Sequence, residues 1–93
     1  MSAGAAPSFW EQELVDEAVL AYVQWREESW NVWGAYRRWA SAAVEDARGA
    51  HAAYRAALDR EEAAAERYAS LVERVSELLK TGFDYTLATR GLA

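Results

Sequence analysis

Residues 21–40 read AYVQWREESWNVWGAYRRWA, and residues 51–71 read HAAYRAALDREEAAAERYASL. Two tyrosines stand two heptads apart in each stretch, Tyr22 with Tyr36 and Tyr54 with Tyr68. An α-helix returns to the same face about every seven residues, so each pair marks one helix face. Folding the chain back at Gly49 sets Tyr54 against Ala43, Tyr36 against Glu61, Tyr68 against Ser29 and Tyr22 against Val75. Between those levels Trp33 meets Ala64, Trp25 meets Leu71 or Val72, and Ala40 meets Ala57. Large residues opposite small ones let two helices interdigitate. The expected fold is therefore all-α: an antiparallel two-helix hairpin, coiled-coil-like, that pairs into a four-helix bundle.

The flanking sequence supplies limits for the helices. In Ser8-Phe9-Trp10-Glu11 a Ser precedes a Glu by three residues, the spacing of a capping box. Glu11, Glu13, Asp16 and Glu17 follow where the helix dipole favours negative charge. Lys80-Thr81-Gly82-Phe83 has the order of a helix stop: a cation, a glycine, then an apolar residue that folds back. Gly34 is a weaker break than Gly49, because no polar turn residues surround it. These signals predict a disordered lead-in over 1–7, a hairpin over 8–82 with helices 8–47 and 50–81, and a tail over 83–93. The tail alternates apolar and polar residues and suits an extended segment.

Composition narrows the function classes. The chain has 93 residues, 53% of them hydrophobic, with five Trp and five Tyr. That is a heavy apolar load for one small domain, and association is one way to use it. No cysteine is present, so thiolate chemistry and disulfides are out. The net charge of -5 argues against nucleic acid and against an anionic membrane surface as partners. No leader or membrane span is evident, and a cytoplasmic location is expected.

Few residues suggest chemistry. Helical di-metal sites use Glu-x-x-His pairs, but Arg48 stands three residues before the single histidine, His51. His51 reads as an exposed or capping residue at the hairpin tip. Most acids, such as Asp59, Glu62, Glu66, Glu73 and Glu77, share a solvated face. Glu61 alone falls inside the apolar stripe of its helix. Burial could make it a general acid, or it could be a polar contact that fixes register beside Tyr36. Tyr36-Arg37-Arg38-Trp39 is the one basic–aromatic cluster, and it could bind a phosphate or stack a base. No nucleophile–base pair or phosphate-loop motif occurs. No enzyme, metal or cofactor is expected.

The first helix carries more apolar surface than one partner helix covers. Tyr22, Trp33 and Tyr36 point toward the second helix in this reading. Trp10, Leu14, Val32 and Trp39 lie to one side, and Trp30 with Val19 and Val23 lies to the other. Exposed aromatic patches mark interfaces. The expected partner is a second copy or another helical protein, met through Trp10, Leu14, Val32, Trp39 and Trp30. The register core is Tyr22, Trp33, Tyr36, Tyr54, Glu61 and Tyr68. In outline, as a small, acidic, cysteine-free helical hairpin, the chain resembles the WXG100 type of type VII secretion substrate. The resemblance covers shape and not motif. Trp33 is followed directly by Gly34, Gly49 has no Trp before it, and neither Tyr68 nor Tyr85 has an acid four residues on. The resemblance implies an exported hairpin as an alternative to an interaction or scaffold module. A third alternative is a small-ligand binder using Arg37 and Arg38.

Overall fold

The computed structural model describes residues 9–92, with side chains over 11–81. Helix α1 spans Phe9–Ala40, a short 3-10 turn follows at Val44–Asp46, and helix α2 spans Ala47–Leu92. The helices run side by side in an antiparallel hairpin with extents of 74 × 21 × 14 Å. Its radius of gyration of 21.0 Å compares with about 13 Å for a globule of this length.

The two helices meet along a seam spaced in alternating steps of four and three. On α1 the seam is Leu14, Ala18, Ala21, Trp25, Glu28, Val32, Ala35 and Trp39. On α2 it is Ala50, Tyr54, Ala57, Glu61, Ala64, Tyr68, Leu71, Val75 and Leu78. Every one is buried or half-buried. The most enclosed are Ala21 and Ala57 at 1% exposure and Ala35 at 3%. A methyl at the contact line lets two helix backbones approach to the short end of the usual 8–10 Å separation.

The register differs from the large-opposite-small pairing by about one heptad. Tyr22 meets Tyr68 at 5.4 Å between ring centroids, and Trp25 stacks on Tyr68 at 5.5 Å. Nearer the turn, Tyr36 meets Tyr54 at 5.8 Å and Trp39 stacks on Tyr54 at 5.4 Å. Aromatic rings therefore gather into two nodes, and the levels between hold Ala, Val and Glu. Contacts between offset or edge-on rings contribute beyond their area, and the nodes exploit this at little cost to the Ala levels.

The reversal also falls elsewhere. It occupies residues 41–46, not Gly49, which lies in the first turns of α2. The chain turns through Ala43 in an extended conformation, φ -68 and ψ 159. The Ala42 N–H donates to the Trp39 carbonyl at 3.2 Å, and the Asp46 N–H donates to the Ala43 carbonyl at 2.9 Å. The Ser41 hydroxyl donates to the Arg37 carbonyl at 2.9 Å, occupying a carbonyl at the end of α1. No described glycine takes a positive φ, so this turn needs none. α1 is continuous through Gly34, and α2 continues through Gly82 rather than stopping there. A helical glycine costs only ~1 kcal/mol. Residues 83–92 of the expected extended tail form the last turns of α2, and the capping role of Ser8 lies outside the described residues.

Two substitutions test this account. Gly49→Ala should stabilise the hairpin by ~0.5–1 kcal/mol, because an added Cβ there meets nothing within 4 Å. A turn at Gly49 would give the opposite sign in urea melts. Ala57→Leu should destabilise by ~1–3 kcal/mol through overpacking of the seam.

Candidate functional site

The seam has two edges of opposite character, and each follows from which residue neighbours a seam position. On one edge α2 contributes Arg60, Arg67 and Arg74, seven residues apart, and α1 contributes polar residues. Arg67 Nη1 donates to Gln24 Oε1 at 2.8 Å. Arg60 Nε pairs with Glu28 at 3.5 Å. Arg74 borders a shallow depression with Glu13 and Glu17. These contacts are solvent-screened and add little stability, but they close this edge with polar cross-links.

The other edge is apolar. α1 contributes Val15, Val19, Tyr22, Trp33 and Tyr36, and α2 contributes Leu58, Val72 and Leu79, all well exposed. Trp33 is 53% exposed and stacks on Tyr36 rather than entering the seam against Ala64. The α2 residues Leu58, Ala65, Val72 and Leu79 recur every seven positions, each one residue after a seam position. Val15, Val19, Tyr22, Tyr68, Val72 and Val75 line a groove of about 350 Å³ along this edge.

The expected interface residues divide among three places. Leu14, Val32 and Trp39 are in the seam, because the intramolecular register uses the face one residue before Tyr22 and Tyr36. Trp39 stacks on Tyr54 and lies 4.6 Å from the His51 ring. Trp30, 68% exposed, stands on the back of α1. The side chain of Trp10 is outside the described residues. Of the expected register residues, Tyr54, Glu61 and Tyr68 lie in the seam. Tyr22 and Tyr36 lie at its edge, still touching Tyr68 and Tyr54.

Glu61 is half-buried, and its Oε2 accepts a hydrogen bond from the Trp25 indole N–H at 2.6 Å. The partner is therefore Trp25 and not Tyr36. Glu28 is a second seam carboxylate, and it also accepts from Asn31 Nδ2 at 3.2 Å. Its signal was present in the heptad Ala21, Glu28, Ala35. Two polar positions mid-seam oppose sliding, since a slip would strand a charge among apolar groups.

Arg37 and Arg38 border an open depression with Gly34 and Ser41, all from the end of α1 and the first turn residue. The aromatics of that stretch, Tyr36 and Trp39, face α2, so they do not join the two arginines. Among the described residues there is no cluster of three or more His, Cys, Asp or Glu able to hold a metal. No helix among them is long and apolar enough to cross a membrane. Comparison with protein-family models, with curated proteins and with solved structures finds no match.

The Trp25–Glu61 bond is directly testable. Glu61→Gln keeps an acceptor for the indole and should change stability little. Glu61→Ala should cost ~1–2 kcal/mol by leaving a half-buried N–H unpaired, read by chemical melts.

Proposed function

We propose that the chain is a non-enzymatic interaction module whose apolar edge receives a second copy. Each hairpin is an antiparallel coiled coil, and the pair forms a four-helix bundle. The observation that carries this reading is the contrast between the edges, one cross-linked by arginines and one left mainly apolar. The core adds to it. The buried hydrophobics among the described residues are Leu14, Ala21, Ala35, Ala57 and Leu71, and only two of these are larger than alanine. So thin a core leaves a chain this small marginal alone, and pairing adds burial. The available area is sufficient: α1 is ~48 Å long, which over a 21 Å width offers a footprint of ~1,000 Å² per copy. Stable interfaces use ~800 Å² per partner.

A second reading is favoured by the position of the turn. It opens at Ser41, so in Trp39-Ala40-Ser41 a Trp followed two places on by a small residue stands where WXG100 hairpins carry Trp-x-Gly. On that reading the paired hairpin is exported, and a tagged chain would accumulate in culture supernatant in a host with a type VII system. The small-ligand reading is the weakest, since Arg37 and Arg38 lie on one open helix surface.

Light scattering after size exclusion should give about twice the 10.4 kDa chain mass. Val19→Glu should reduce it to one chain with helicity kept, and Arg67→Gln on the polar edge should leave it unchanged. A wild-type mass of one chain at high micromolar concentration would sink self-pairing and leave a different helical partner for the strip.

A further inference from the structure

We infer that the second copy lies with its α1 over this copy's α2, related by a two-fold axis parallel to the hairpin's length, so that Arg26 of each copy pairs with Glu62 of the other. This rests on the self-pairing proposed above and specifies its geometry. Two face-to-face arrangements bury the apolar strip. In one the axis runs along the hairpin, and α1 covers the other copy's α2. In the other the axis crosses the hairpin, and α1 covers α1.

The in-hairpin register decides between them. An axis along the hairpin keeps every residue at its own height, so each α1 residue of one copy stands beside the α2 residue it already faces at home. Glu28 pairs with Arg60 within the hairpin, and in an antiparallel pair two residues back along α1 stand level with two residues on along α2, so Arg26 and Glu62 share a level. Both are exposed and lie on the outer border of the apolar edge, one residue after a seam position. The same rule brings Val19 to Ala69 and Trp33 to Arg55. Each level is thus matched: apolar with apolar, cation with anion, and arginine with an indole face. A two-fold interface repeats each contact twice, residue i on j and j on i.

The crossed arrangement fails on charge. Burying the full length of α1 against α1 centres the crossing near the middle of the helix, beside Arg26. That places Arg26 against Arg26 at the rim of an apolar interface, and it brings the two Glu62 toward each other. Like charges juxtaposed across an interface suppress that pairing.

Because the chain has no cysteine, disulfide trapping reads the geometry without background. Chains carrying R26C and chains carrying E62C are oxidised separately and as a mixture. Cross-linked dimer is expected from the mixture and not from either chain alone. Cross-linking of R26C with itself, or a mixture that stays uncross-linked although both chains sediment as dimers, overturns the arrangement. Charge exchange gives the second readout, by sedimentation at low salt. R26E and E62R should each weaken dimerisation by about tenfold, and the double variant should restore most of the loss. Singles that leave the dissociation constant unchanged, or a double as weak as the singles combined, also overturn it. If wild-type protein sediments as a single chain, self-pairing itself fails, which is a distinct result from a dimer with the wrong cross-links.

Discussion

The close approach of two helix backbones across Ala21, Ala35 and Ala57 governs the rest of the hairpin. Alanine at the contact line leaves no room for large side chains there, so the tryptophans and tyrosines are displaced. Some enter the alternate seam positions, where Trp25, Trp39, Tyr54 and Tyr68 build two aromatic nodes. Others are turned to the edge, where Tyr22, Tyr36 and Trp33 remain exposed. The apolar strip is thus a by-product of the thin core.

The two edges then differ because of one substitution pattern repeated along α2. The residues just after seam positions are Leu58, Ala65 and Val72, and those just before others are Arg60, Arg67 and Arg74. A hairpin with this pattern has a sided surface without any change of backbone. Its mid-seam carboxylates, Glu28 and Glu61, each find a partner within reach. They reinforce the register that the alanines permit.

The all-helical hairpin was legible in the tyrosine spacing, and the continuity of α1 through Gly34 in the lack of turn residues around it. The register was not. Tyr22 and Tyr36 sit one residue after Ala21 and Ala35, and both sets repeat with the same period, so periodicity alone cannot say which faces inward. Volume at the contact line decides, and it chose the alanines. The turn was missed for a related reason. Search by glycine favoured Gly49, whereas the chain reverses through an extended alanine that carries no such mark. Trp39 and Leu14 were assigned outward for the same off-by-one reason, and the apolar strip they were meant to form is built instead from Val19, Trp33, Val72 and their neighbours.

The placement of the two aromatic nodes bears on how the hairpin closes. The node of Trp39, His51 and Tyr54 joins residues close in sequence, across the short turn. The node of Tyr22, Trp25 and Tyr68 lies much farther along the chain from that turn. The entropy lost on closing a loop rises with its length, so the near node forms first and shortens the loop left for the far one. The expected assembly is a zipper that runs from the turn toward the open end. Amide protection against hydrogen exchange should follow the same gradient, highest beside Ala35 and Ala57 and falling toward the ends that meet last.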